Sequence, residues 1–264
     1  MKTSQLLLEK GFITLVGHIL FPRLILEFFV LPGVFLKMVK EGDFVSIKYA
    51  GSSEGKVFDT NVAEEAKKAG LEQRRKYSPL FVVAGKGQVV PGFDEALLKA
   101  SEGKDEKASI PAAKAYGQAN KDLVRLIPIA EFKKQGVTPY PGMVLNLDDT
   151  VAKVVSVESG RVKVDFNHPL AGKDLDFSFK IVKCAEGAEE KLRLAVHDLL
   201  DLPETAVSFK EGVATVKVDA SVPKLQDYLS AKYRFVQVVL QYVPDVKRIV
   251  FEEEFAKADA EASK

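Results

Sequence analysis

The chain offers few side chains of the kind that make or break covalent bonds. Its single cysteine, Cys184, ends the run FSFKIVKC and reads as a packing residue at a strand end. One thiol permits no intrachain disulfide and suits a reducing compartment. The three histidines, His18, His168 and His197, stand far apart with no ligand-spaced partner, so no metal and no other cofactor is expected. What recurs instead is aromatic and acidic residues set close to glycine. Tyr49 stands in KYAG, Phe58 and Asp59 follow Gly55 in GKVFDT, Phe93 stands in VVPGFDEAL and Tyr116 in AYG. Each phenylalanine taken singly is more often plain core.

The elements that must position them are legible from periodicity. Phe44–Tyr49 alternates as a strand does, and Gly51 with Gly55 marks a turn into a second strand over Lys56–Asp59. Residues 63–75 are charged and helix-compatible and read as a surface excursion. A strand resumes over Pro79–Ala84, and Pro91-Gly92 then breaks the chain. Phe93–Ala100 has helical spacing with Phe93, Leu97 and Ala100 on one face, and Lys107–Pro111 begins another strand. Four or five antiparallel strands and one short helix in their hollow are expected.

Composition narrows the class. A chain of 264 residues has room for one large domain or two to three small ones, and 47% hydrophobic residues are ample for packed cores. With 38 basic against 37 acidic residues there is no basic surplus for nucleic acid. Residues 1–37 are apolar and unlike the rest. Their longest uncharged run, Gly11–Pro22, has 12 residues, short of the ~18 that a span needs, and no small-x-small cleavage site follows. Two readings of this leader stand: a disordered or over-extended start with Met38 as the natural initiator, or a membrane-associating segment. The first is preferred, so membrane attachment is not expected.

Three strings in fixed order, VSIKYAG with GKVFDT, AGKGQVVPGFDEAL and IPAAKAYG, resemble the FKBP-type peptidyl-prolyl cis/trans isomerases. VDFNHPLAGKDLDFSFKIV (Val164–Val182) is similar to the closing strands of the same domain. The long interval between Gly117 and Val164 resembles the SlyD-like branch, which carries an inserted chaperone domain, and the carboxyl-terminal unit resembles that of long archaeal FKBPs. The resemblance implies an α+β fold, an antiparallel half-barrel wrapped on a short helix, with a small β-rich insert and a C-terminal αβαβ domain. It implies isomerisation of X–Pro bonds in unfolded or nascent polypeptides in the cytoplasm. The imide has an ~18–20 kcal/mol rotation barrier, and twisting it reduces its charge separation, so a dry apolar pocket favours the twisted state without nucleophile, metal or general base. On matching positions Phe93 is expected as pocket floor, Phe58 and Phe177 as side walls, and Tyr49 at the rim, with Val89 beside them. The Val90 N–H and the Tyr116 phenol are expected to donate to substrate carbonyls, and Asp59 to accept hydrogen bonds that fix the geometry. The family often has Trp where Phe93 stands, and aromatic residues where Leu80 and Val82 stand, so a wider apolar pocket is expected. A holdase with a vestigial pocket is the alternative.

The domain boundaries expected are 1–37 for the leader, 38–117 plus 165–185 for the isomerase, 118–164 for the insert and 188–264 for the C-terminal unit. In the insert, Val151–Val157 and Arg161–Val164 read as strands joined at Glu158-Ser159-Gly160. Ile127, Ile129, Phe132, Val144 and Leu145 are the candidate client contacts, with about half of them expected in the insert's own core, since so small a domain barely buries its hydrophobes. Beyond it, Glu189–Leu200 has a helical stripe and Val213–Val218 is strand-like. Ser221 and Pro223 open a helix reaching about Tyr242, and Lys247–Phe251 is a last strand. That helix is apolar on more than one face, and the resemblance to long archaeal FKBPs suggests a homodimerisation module, with intramolecular docking and client binding as the alternatives.

Overall fold

The computed structural model describes residues 37–71, 77–147, 150–218 and 225–254. The apolar leader and the helix opening at Ser221 and Pro223 lie outside the described residues.

The first body is a five-stranded antiparallel sheet: β1 (Phe44–Ser53), β2 (Lys56–Thr60), β3 (Leu80–Val83), β4 (Asp105–Ile110) and β9 (Leu175–Ala185). β1 pairs with β9 along one edge, from Phe44↔Ala185 to Ser52↔Asp176. Its other edge is shared: β3 takes Phe44–Ile47 and β2 takes Ala50–Ser53. The short helix α1 (Ala63–Ala69) follows β2, and α2 (Pro91–Leu97) fills the hollow of the sheet. Proline at the first helical position has no N–H to leave unpaired, which suits the abrupt start of α2. Val45, Ile47, Val82, Phe93, Leu97, Ile110, Leu175 and Ile181 form the core around this helix.

The alternation expected of β1 gives way at its start, where Phe44–Ile47 are all buried. The reason is a second layer. Phe44, Phe81, Val83 and Ala185 face the other way and share one apolar cluster with Leu192, Val196, Phe235 and Val239 of the C-terminal part. A strand buried on both faces reads as a continuous apolar run, as FVSI and LFVV do.

The insert is a four-stranded antiparallel sheet in the order β5-β8-β7-β6, made of β5 (Val124–Pro128), β6 (Val144–Leu147), β7 (Thr150–Glu158) and β8 (Arg161–Asp165). The helix α3 (Ile129–Lys134) drops Phe132 onto Leu145, Ala152, Val154, Val162 and Val164. The C-terminal part comprises α4 (Gly187–Leu200), β10 (Val207–Lys210), β11 (Val213–Val218), α5 (Leu225–Tyr242) and β12 (Arg248–Glu253), with β11 central, antiparallel to β10 and parallel to β12. It has one strand, β10, more than two strands alternating with two helices. VSFK is short and was not distinguishable from loop by periodicity. Three hairpins share one turn chemistry: Glu54-Gly55, Ser159-Gly160 and Glu211-Gly212 all pair two positive φ angles, as tight two-residue turns between twisted strands require.

Candidate active site

Strand pairing brings the aromatic residues together. Gly51 on β1 lies opposite Phe177 on β9 and Asp59 on β2, so the side chains of three strands converge at one end of the sheet. Phe58 meets Phe177 edge-on, with ring centroids 6.1 Å apart. Tyr49 lies 6.3 Å from both Phe93 and Phe177. Phe93, carried by α2, stacks on Phe177 at 4.3 Å with planes 11° apart and meets Phe179 edge-on at 5.1 Å. An added Cβ at Gly51 would stand 2.8 Å from Phe58 Cζ and 2.9 Å from Phe177 Cε1. Only a residue without a side chain lets these rings close over β1.

The stacking corrects one expectation. Phe93 is 2% exposed because Phe177 lies flat on it, so it does not present an open floor. The half-buried apolar surface comes instead from Tyr49, Phe58, Leu80, Val89 and Val90, all packed at the edge of the core.

Polar groups fix this arrangement from below. The Tyr49 hydroxyl donates to Asp59 Oδ2 at 2.5 Å. The Tyr49 backbone is clamped by Asn61, whose Oδ1 accepts its N–H at 2.8 Å while Nδ2 donates to the Ile47 carbonyl at 2.7 Å. Thr60 Oγ1 donates to the Tyr49 carbonyl at 2.6 Å. On the opposite side, buried Asp94 accepts the N–H groups of Gly85 and Gly87, both at 2.8 Å, and Gln88 Oε1 accepts that of Val83 at 2.9 Å. These bonds shape the loop that delivers Val89 and Val90. The Val90 carbonyl caps α2 by accepting from Phe93 and Asp94, whereas its N–H meets no protein acceptor among the described residues. Asn61, Asp94 and Phe179 were not anticipated. The period-2 spacing of Phe177 and Phe179 in LDFSF, and an acidic residue in the first turn of α2, were the available signals.

Tyr116 stands apart from the aromatic cluster. It is 42% exposed, and its ring stacks on His168 at 3.9 Å. Cys184 is buried and hydrogen-bonded to Asp43. Burial, with the Asp43 carboxylate adding to it, pushes its thiol up to about 12, which makes it a poor nucleophile. Among the described residues no three His, Cys, Asp or Glu side chains could hold a metal ion together.

Of the candidate client contacts, Phe132 and Leu145 are 3% and 8% exposed and belong to the insert's core. They are corrected as contact residues, because β6 turns Leu145 inward and Val144, 65% exposed, outward. Ile127 and Ile129 are half-buried against that core.

Comparison with known proteins assigns the chain. Residues 37–132 match the model of FKBP-type peptidyl-prolyl cis-trans isomerase, residues 125–170 that of the FKBP26 IF domain, and residues 191–256 the FKBP26 C-terminal domain. The short-type peptidyl-prolyl cis-trans isomerase of Methanocaldococcus jannaschii is 34% identical over 147 residues, covering 55% of this chain and 94% of the relative. The FKBP-type isomerase SlyD of Helicobacter pylori is 27% identical over 167 residues, 62% of this chain and 83% of its own length. SlyD of Escherichia coli K12 is 32% identical over 120 residues, 44% and 60% respectively. The chain belongs to the FKBP-type peptidyl-prolyl cis-trans isomerases, in the form that carries an inserted IF domain and an FKBP26-type C-terminal domain.

Proposed function

We propose that this isomerase is also a folding chaperone: residues 118–164 hold apolar stretches of unfolded or nascent chains, and the pocket of residues 38–117 and 165–185 turns over their X–Pro bonds. The observation that carries this reading is the surface of the insert. Leu126, Tyr140, Val144, Val151 and Val155 are exposed there by 46% to 65%, in a module with a core of only a few side chains. Leu126 pairs across the sheet with Lys163, and Val144 with Lys153, so apolar and basic groups alternate on the outer face. A recess of about 720 Å³ beside α3 is lined by Leu123, Leu126, Ile127, Phe132 and Phe166 together with Arg125, Glu131, Gln135 and Thr150, and so suits a side chain with an apolar body and a polar end.

In the pocket, Phe58, Phe177, Tyr49, Val89 and Val90 surround the proline ring and exclude water, while Phe93 supports Phe177 from beneath. Loss of solvent favours the twisted, less dipolar imide over the planar one. The Val90 N–H and the Tyr116 hydroxyl, both without protein acceptors among the described residues, donate to the carbonyls flanking the proline. Asp59, engaged by Tyr49, holds the rim in place. The C-terminal unit, residues 188–264, forms a homodimer through the outer face of α5, and the single buried thiol suits a reducing cytoplasm.

The test compares isomerisation of a short X–Pro peptide with refolding of a proline-limited protein, with and without residues 118–164. Deletion is expected to leave peptide turnover within about threefold and to cut refolding catalysis by a factor of ten or more, on the order of the 1.4 kcal/mol that a few lost apolar contacts supply. Equal loss in both assays means that the insert completes the pocket instead of serving clients.

A further inference from the structure

His168 lies on the return path from the insert, yet its imidazole is laid flat on the Tyr116 ring, centroids 3.9 Å apart and planes 10° apart. Tyr116 is 42% exposed, and its hydroxyl meets no protein partner among the described residues. An exposed tyrosine with nothing on its ring samples several rotamers. The imidazole is the flat surface that opposes this, and it is itself fixed. The Leu170 N–H donates to His168 Nδ1 at 3.2 Å, and the Ala171 N–H donates to the His168 carbonyl at 2.8 Å.

The two chain segments that enter and leave the insert are stitched together beside this stack. Asn167 Oδ1 accepts the Asn120 N–H at 2.8 Å, and its Nδ2 donates to the Asn120 carbonyl at 2.9 Å and to Asp165 Oδ1 at 2.8 Å. The Phe166 N–H donates to the Leu123 carbonyl at 3.0 Å and the Gly172 N–H to the Gly117 carbonyl at 2.8 Å. His168 therefore sits on a braced platform next to the most exposed aromatic side chain of the proposed pocket among the described residues.

We propose that His168 is a positioning residue for the isomerase reaction, holding the Tyr116 ring so that its hydroxyl is already placed when the peptide arrives. This rests on the reading of Tyr116 as a donor to the substrate. The role belongs to the flat ring of His168: its face packs on Tyr116, Nδ1 is occupied by Leu170, and it needs no contact with the substrate.

The experiment measures kcat/KM of the full-length chain on one short X–Pro peptide for His168→Ala, His168→Phe, Tyr116→Phe and the double variant His168→Ala/Tyr116→Phe, with thermal unfolding of each. An aromatic stack of ordinary strength predicts that His168→Ala loses about two- to tenfold. His168→Phe, which keeps a flat ring, recovers to within about twofold on the same reasoning. With the hydroxyl absent there is nothing left to place, so His168→Ala adds no further loss in the Tyr116→Phe background. If His168→Ala does not fold, His168→Gln replaces it. A wild-type rate for Tyr116→Phe overturns the donor reading and this proposal with it. A damaging Tyr116→Phe beside a neutral His168→Ala, additive losses, or failure of His168→Phe to recover overturns the role of His168 alone.

Discussion

Replacing Gly51 by alanine tests whether the rings over β1 form the working pocket. Gly51 is paired with β9 and, at an irregularity in the ladder, with β2, and its φ lies outside the left-handed region, so the effect of alanine is chiefly steric. Its Cβ would stand 2.8 Å from Phe58 Cζ and 2.9 Å from Phe177 Cε1, closer than such atoms approach in proteins, and both rings must move. Phe177 is pinned by its stack on Phe93, whereas Phe58 is half-buried and can swing outward. Overpacking of a well-filled site costs about 1–3 kcal/mol. Outward movement of Phe58 relieves much of that in the free protein, so global stability is expected to fall by about 1 kcal/mol or less. The transition state needs the walls closed, so the remainder, up to about 2 kcal/mol, appears in kcat/KM as a loss of up to roughly 30-fold. The assay is X–Pro peptide turnover alongside urea unfolding for Gly51→Ala, Phe58→Ala and the double variant. Once the Phe58 ring is removed, the second substitution meets one ring instead of two and should cost distinctly less than it does alone. Wild-type turnover in Gly51→Ala, or a full additional loss in the Phe58→Ala background, refutes the placement of the walls.

Three other outcomes are expected. Phe58→Ala should reduce kcat/KM more than Tyr116→Phe, because a neutral hydrogen bond contributes a net ~0.5–1.5 kcal/mol whereas a lost aromatic wall admits solvent; the reverse order would put directed hydrogen bonding above desolvation. The Cys184 thiol, pushed up to about 12 by burial from an ordinary 9.0, keeps its proton in the folded chain after the unfolded chain has lost it. Stability should therefore fall as pH rises from 9 towards 12, by up to about 1.4 kcal/mol per unit from this group, and urea unfolding of Cys184→Ala across that window should show a shallower slope. Leu229, Tyr233 and Leu240 are exposed by 51% to 68% on one side of α5, so the proposed homodimerisation through α5 has Leu229→Glu with Leu240→Glu halving the mass seen by light scattering while leaving the melting temperature nearly unchanged; a wild-type chain of monomer mass, or an unchanged mass in the variant, overturns it.

Much of the fold was written in local pattern. Tyr49, Phe58, Phe93 and Phe177 come from four separate segments and are in ring contact, and the strands carrying them show in alternation and turn residues. What sequence could not carry was sidedness and long-range pairing. Val144 and Leu145 look equivalent in MVLNL, and only the register of β6 on β7 turns one outward and the other inward. Asn61 and Asp94 are polar residues of common type, and their importance arises from which N–H groups the folded chain brings to them. His168 meets Tyr116 across the whole insert, a contact with no local signature. The two-sided burial of β1 was hidden because its covering layer lies in a different domain.

The pairing of Phe44 with Ala185 also orders events on the ribosome. The sheet of the isomerase cannot close until its last strand, Leu175–Ala185, has been made, and its outer face stays bare until Leu192 and Val196 follow. The insert is contiguous, and all four of its strands are complete at Asp165. Since chains fold in units as they emerge, and local pairings form sooner than distant ones, the insert matures inside a host that is still open. The isomerase's own first strands, Phe44 and Phe81 included, are still without their covering layer at that point.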